Sequence, residues 1–240
     1  MRTEIRLTED ASHTLYVAEI DECYHSIHGA VRESAHIFVD AGLRAFLSSR
    51  EKERDGDAEI NVLEIGFGTG LNAYLTFLEA EKVKKRVHYT ALELYPLAID
   101  EAMSLHYPEM FEDESGVFEK IHLSRWGEDS DITPGFTLCK MNVDFTACEL
   151  PGLFDVVYFD AFSPDKQPEM WSEEGFRKIG EHTADGAVLT TYCAKGAVRR
   201  SMQSAGFVVE RLPGPPGKRE ILRGRVDYTR PDVIILDGGR

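Results

Sequence analysis

Glu59-Ile60-Asn61-Val62-Leu63-Glu64-Ile65 runs straight into Gly66-Phe67-Gly68-Thr69-Gly70, after which Leu71, Tyr74, Leu75 and Leu78 recur at helical spacing. A short apolar run, a glycine turn and an amphipathic stretch make a strand, a tight turn and a helix. The unit recurs: Val87 to Glu93 predicts a second strand, and Pro96 to His106 a helix opened by proline and followed by Pro108. Pro108 to Arg125 shows no clear period and is read as irregular, and the stretch from Glu112 to Thr137 receives no role. Thr137 to Val143 predicts a third strand ending at Asp144. Phe154 to Asp160 is the clearest buried strand, followed by a loop with Pro164 and Pro168. Ser172 caps a helix over Glu173 to His182, Asp185-Gly186 marks a turn, and Ala187 to Tyr192 predicts a further strand. A helix over about Ala194 to Ala205 stops at Gly206. Phe207 to Leu212 and Glu220 to Val226 then form two strands joined through Pro213-Gly214-Pro215-Pro216-Gly217, an antiparallel hairpin at a sheet edge.

Alternating strands and helices imply an α/β fold with a mostly parallel sheet, helices on both faces, and ligands outside the carboxyl ends of the strands. Function is therefore expected just after Leu63, Leu92, Val143 and Phe159. The chain has 240 residues, 42% of them hydrophobic, enough for a core without disulfides or metal. Cys23, Cys139, Cys148 and Cys193 form no C-x-x-C pair and are read as isolated thiols. No apolar run is long enough for a membrane helix, and Met1 to Arg6 has no apolar signal core, so a cytoplasmic location is expected. The formal net charge of −15 opposes a broad grip on phosphates. The distribution is uneven, with ten Lys/Arg against five Asp/Glu between Lys195 and Arg240. A basic C-terminal part on an acidic body admits a local anionic partner.

The glycine turn excludes two common alternatives. The dinucleotide fingerprint G-x-G-x-x-G needs a glycine where Leu71 stands, and a phosphate-binding P-loop needs a Gly-Lys-Ser/Thr that is missing. An acid, Glu64, leading into Gly66, Gly68 and Gly70 resembles instead the first motif of class I S-adenosylmethionine-dependent methyltransferases. A tight strand-to-helix turn would by itself explain the glycines. Two further acids favour a nucleoside site: Glu93 ends the second strand, where a carboxylate accepts both ribose hydroxyls. Asp144-Phe145 follows the third, where a carboxylate and a backbone N–H read an adenine edge.

Phe159-Asp160-Ala161-Phe162-Ser163-Pro164-Asp165-Lys166-Gln167-Pro168-Glu169-Met170-Trp171 carries a more specific resemblance. Together with Tyr24-His25-Ser26-Ile27-His28-Gly29-Ala30-Val31-Arg32-Glu33-Ser34, the Gly66 to Asn72 segment and Gly217 to Gly224, it resembles the methyltransferase half of the bifunctional tRNA 5-methylaminomethyl-2-thiouridine biosynthesis proteins and their stand-alone relatives. The resemblance implies a Rossmann-like, seven-stranded sheet and S-adenosylmethionine as cofactor. It further implies methylation of the exocyclic amine of 5-aminomethyl-2-thiouridine at the tRNA wobble position, with the anticodon stem-loop as partner. It divides the chain into an N-terminal segment and lid (1–55) and a methyltransferase domain (56–240), without the oxidase domain of the bifunctional relatives.

An alkylammonium has no lone pair, so an N-methyltransferase must bind or generate the neutral amine. Asp160 is the expected catalytic residue, accepting an amine proton by hydrogen bond and orienting the lone pair, either as the base or only as an orienter; a helix cap after the strand is the competing role. The cofactor is assigned Glu64, Gly66, Gly68, Gly70, Asn72, Glu93, Asp144 and Phe145, with Tyr24 and Ser26 from the lid. The substrate is assigned Glu33, Phe162, Trp171, Lys218 and Arg219. Phe162 and Trp171 are candidates for stacking on a splayed uridine; Trp171 is equally at home in a core, whereas Phe162 favours the site. Lys195, Arg199, Arg200, Lys218, Arg219, Arg223 and Arg225 are expected to meet RNA phosphates, with a homodimer as one way of enlarging that surface. His25, His28 and His36 lack a completing ligand set, so no metal is expected. A methyltransferase for a small-molecule amine and a non-catalytic nucleoside-binding module remain the alternatives.

Overall fold

The computed structural model describes residues 2–50 and 58–226. The expected boundary at 55/56 and the basic residues Arg230 and Arg240 lie outside the described residues. In chain order the elements are β1 (Thr3–Leu7), β2 (His13–Val17), β3 (Glu22–Cys23), α1 (Ala30–Ser34), a π-helical segment (Ala35–Arg44) and α2 (Ala45–Arg50). The first βα units follow as β4 (Ile60–Ile65), α3 (Leu71–Val83), β5 (Val87–Leu92), α4 (Ile99–Met103), α5 (Val117–Leu123), β6 (Asp129–Thr133) and β7 (Phe136–Met141). The chain closes with β8 (Phe154–Phe159), α6 (Glu173–Glu181), β9 (Thr183–Thr191), α7 (Gly196–Ser204), β10 (Phe207–Pro213) and β11 (Glu220–Val226).

One sheet of eight strands has the order β10-β11-β9-β8-β4-β5-β7-β6, and β1-β2-β3 form a second small sheet. The five central strands are parallel; β11 and β10 on one side and β6 on the other are antiparallel. The expected terminal hairpin is present. Adjacent residues of a strand point to opposite faces, and the sequence uses both. Val62, Tyr89, Leu138 and Tyr158 enter one core, under the helical run from Ala30 to Arg50 and under α3 and α5; Leu63, Leu92, Val157 and Phe159 enter the other, under α6 and α7. Each such side chain contributes roughly 1.5–3 kcal/mol when fully buried. No helix among the described residues is long and apolar enough to cross a membrane.

Four local expectations need correction. The sheet has eight strands rather than seven, because polar Asp129–Thr133 pairs on the outer edge of β7 through a register shift. The stretch read as irregular holds a 3-10 turn (Pro108–Phe111) and α5, whose Val117, Phe118 and Ile121 are buried. The helix expected over Pro96 to His106 is regular only at Ile99–Met103. Asp185-Gly186 is an irregularity inside β9, which pairs with β8 at Thr183 and again from Val188, with Gly186 at φ +75°.

The register sets the site. Ile65 pairs with both Leu92 and Phe159, Leu92 with Met141, and Phe159 with Thr191, so these strands end at one level. Gly66, Glu93, Asp160 and Tyr192 consequently leave the sheet side by side.

Candidate active site

A cleft of about 400 Å³ opens at these strand ends. Its walls come from the β4 turn (Gly66 to Thr69), the β5 end (Leu92 to Tyr95), the β7 end (Val143 to Thr146) and the β8 end (Asp160 to Phe162). Glu22 to Ile27, Glu33, Gln167, Glu169, Met170, Tyr192 and Lys218 complete them. Of the expected residues, Tyr24, Ser26, Glu33, Gly66, Gly68, Glu93, Asp144, Phe145, Asp160, Phe162 and Lys218 all line it.

The glycine turn is set by crowding. A Cβ on Gly66 would lie 2.6 Å from the Asp160 carbonyl oxygen, and Gly66 holds φ +92°, a conformation that side chains resist. Gly68 holds φ +48°, and its missing Cβ would lie 2.8 Å from the Tyr24 ring. The turn also builds the first acid site. Gly68 N–H donates to Glu93 Oε2 at 2.9 Å and Tyr95 N–H to Oε1 at 2.8 Å, which fixes the carboxylate at the cleft wall. Asp144 Oδ1 accepts from the backbone N–H and hydroxyl of Thr146 at 2.8 and 2.7 Å.

Asp160 is held differently. Asn72 Nδ2 donates to Asp160 Oδ2 at 2.8 Å and to Glu64 Oε1 at 2.9 Å. Burial first, then the charge of Glu33, push the Asp160 carboxyl up to about 7, against the opposing effects of the Asn72 hydrogen bond and Lys218. Glu33 Oε2 accepts from Ser26 N–H at 2.7 Å, and Oε1 lies 3.3 Å from Lys218 Nζ, which sits 4.5 Å from the Tyr192 ring centroid. Tyr192 in turn donates its hydroxyl to the Ala161 carbonyl at 3.0 Å.

Residues 22–33 cross the top of the sheet. Glu22 accepts from Ser163 N–H and Oγ–H, the Tyr24 ring meets Phe162 edge-on at 5.1 Å, and His25 Nε2 bonds Thr69 Oγ1 at 2.8 Å. Burial pushes His25 down to about 4, so its ring is neutral at physiological pH and serves this contact. Among the described residues no group of three His, Cys, Asp or Glu could hold a metal ion.

Other expected residues stand elsewhere. Glu64 is fully buried and Asn72 nearly so, both below the cleft floor rather than on its wall. Gly70 faces His122, away from the opening. Trp171 is 4% exposed, packs against Phe159 at 4.8 Å and donates Nε1–H to the Phe162 carbonyl at 2.8 Å, so it supports the loop and offers no stacking face. Arg219 is exposed and outside the cleft lining. Two cations of the hairpin pair within it, Arg223 with Glu210 and Arg211 with Glu220, while Lys195, before α7, pairs with Asp165 of the loop after β8. Glu22 and Tyr192 carry parts of the site that sequence reasoning left unassigned; Glu22 meets Ser163 from 141 residues away, a separation no local pattern encodes.

Residues 127–227 match a family described as S-adenosyl-L-methionine-dependent methyltransferase, and the glycine turn and strand-end acids come together at one cleft on the sheet's carboxyl edge. The chain is a relative of the tRNA 5-methylaminomethyl-2-thiouridine biosynthesis bifunctional protein MnmC. It is 31% identical over 222 residues to the protein of Leptospira borgpetersenii serovar Hardjo-bovis, covering 85% of this chain and 32% of that one. To the protein of Caulobacter vibrioides it is 32% identical over 238 residues, covering 91% and 38%. The chain thus spans about a third of the length of these curated relatives. Among solved structures, MNMC2 from Aquifex aeolicus superposes with TM-score 0.76 at 26% identity, covering 94% of this chain and 70% of that one. Spermidine synthase from Thermotoga maritima, at 14% identity and TM-score 0.53, covering 93% of this chain and 68% of that one, shares the fold.

Proposed function

We propose that this protein transfers a methyl group from S-adenosylmethionine to the exocyclic amine of 5-aminomethyl-2-thiouridine at the tRNA wobble position. The observation that carries the reading is Asp160, a cleft carboxyl poised near neutrality at the end of β8, in a relative of the bifunctional tRNA-modifying proteins.

The cleft fits the cofactor. Gly66 and Gly68 line it, Glu93 stands ready for two ribose hydroxyls, and Asp144 and Phe145 flank the place of an adenine edge. When bound, S-adenosylmethionine supplies an electrophilic methyl on its sulfonium. Asp160 accepts a proton from the substrate ammonium through Oδ1 and orients the freed lone pair. Glu33 and the Asp160 carboxylate attract the cationic amine, while Lys218, paired with Glu33, limits that charge. Phe162 and Tyr24 offer aromatic surface for the uridine ring. Residues 22–33 act as the lid that keeps water from the amine, and the methyltransferase unit follows it in the chain.

Two of the hairpin cations, Arg211 and Arg223, are neutralised by Glu220 and Glu210, which leaves fewer to meet RNA. Arg219, exposed beside Lys218, is the residue assigned to a phosphate.

Incubation with labelled S-adenosylmethionine and tRNA carrying 5-aminomethyl-2-thiouridine, followed by nucleoside mass analysis, tests the reading. A gain of one methyl on that nucleoside is expected. Cofactor binding without methylation of this tRNA would contradict the substrate assignment and favour a small-molecule amine.

A further inference from the structure

Glu64 and Asn72 lead the glycine turn and its helix, yet neither reaches the cleft. What they do reach is Asp160. The Asn72 side chain stands between two carboxyl groups, 2.9 Å from Glu64 Oε1 and 2.8 Å from Asp160 Oδ2. Only the amino end of an amide has two protons to give two acceptors, so chemistry fixes the orientation of Asn72. Both of its N–H bonds are then used, and its own Oδ1 is buried without a partner, as is Glu64 Oε2.

A fully buried carboxylate beside Asp160 and Glu93 is costly. Burial, with those charges adding to it, pushes Glu64 well above the usual carboxylate range. Glu64 Oε1 anchors Asn72 from below. Above, Asn72 occupies one oxygen of Asp160, and Asp160 Oδ1 has no protein partner among the described residues.

We propose that Asn72, anchored by Glu64, is a positioning residue for Asp160 rather than a cofactor contact: it fixes the carboxyl rotamer and leaves Oδ1 alone facing the amine. The inference rests on the N-methyl transfer proposed above. Its stake is orientation, since a carboxylate free to rotate presents its lone pairs to the amine only part of the time. It is also electrostatic, since the donated hydrogen bond favours the charged form of Asp160. Glu33 from α1, Lys218 from the β10–β11 connection, Tyr192 at the end of β9, and Glu64 and Tyr89 from the sheet below are the other titratable groups facing this carboxyl.

The test compares the wild type with Asn72→Ala, using S-adenosylhomocysteine as the binding probe and carbon-13 carboxyl NMR, assigned with Asp160→Asn, to follow Asp160. Expected are a Kd for the probe within about threefold and a titration midpoint of Asp160 raised by about one pH unit. Turnover at pH 7 should fall roughly 10- to 100-fold, with a deficit that narrows at pH 9. An unmoved midpoint, or a Kd that rises in step with the loss of turnover, would overturn the inference. Should Asn72→Ala not fold, Asn72→Leu keeps the volume without the donor and is read in the same way. A wild type that methylates no aminomethyl-thiouridine tRNA would count against the substrate alone, because the titration and the probe Kd need no turnover.

Discussion

Glu93 and Asp160 leave the sheet at the same level, from strands on either side of β4, yet the chain surrounds them in opposite ways. Glu93 is half-exposed and accepts two backbone N–H bonds from Gly68 and Tyr95. Asp160 receives one side-chain bond from Asn72, faces Glu33, and is pushed up to about 7. Backbone donors are permanent and cannot be withdrawn, so they suit a carboxylate that holds a ligand. A single amide donor in a buried setting leaves a group able to take up and release a proton near neutrality. Under the proposed function, one strand-end position thus yields a binding acid in one place and a titrating acid in the next, through neighbours alone.

The contrast breaks most severely at Asp160. Asp160→Asn keeps the shape and removes the base; turnover should drop about 10²- to 10⁴-fold while the Kd for S-adenosylhomocysteine, measured by calorimetry, stays within about threefold. Next in size is Gly68→Val, which drives a branched side chain into the Tyr24 ring at positive φ; calorimetry should show probe affinity weakened on the order of 100-fold. Glu93→Ala sharpens the comparison from the other side. Loss of the carboxylate should weaken the probe roughly 10- to 100-fold and leave turnover at saturating cofactor nearly unchanged. A parallel fall in saturated turnover would erase the division between the two acids. The smallest effect is expected from Trp171→Phe, which removes the Nε1–H bond to the Phe162 carbonyl. It should cost about 1 kcal/mol, lowering Tm by roughly 2–4 °C, with the KM for tRNA unchanged; a raised KM alone would restore Trp171 as a base platform.

Where hydrophobic period and turn chemistry agree, sequence and structure coincide: β4 with its glycine turn, β8, the Ser172-capped α6 and the terminal hairpin. Where the apolar signal is short or absent, they part. α5 is two turns long and announces itself only through Val117, Phe118 and Ile121; Phe118 packs against Tyr107 and, from much earlier in the chain, Tyr74. β6 is almost wholly polar and exists because β7 offers an open edge. The site shows the same division. Glu93, Asp144 and Asp160 were legible because each follows an apolar strand. Trp171 was not, since an aromatic after a loop looks alike whether it faces a ligand or a core. Nor was the placement of Glu64 and Asn72 beneath Asp160, which depends on the side-by-side register of β4 and β8. The pairing of Arg223 with Glu210 and Arg211 with Glu220 likewise needs the hairpin register, which neutralises these two members of the basic run.

The central claim is that Asp160 prepares the amine by titrating near neutrality. The direct measurement is the single-turnover rate of methyl transfer to aminomethyl-thiouridine tRNA between pH 5.5 and 9, for the wild type and Asp160→Asn. Because the carboxylate is the active form, the wild-type rate should rise with pH through an apparent pKa of about 7. That limb should be missing from the slow variant. A variant that retained the same limb would place the titrating group elsewhere and contradict the account.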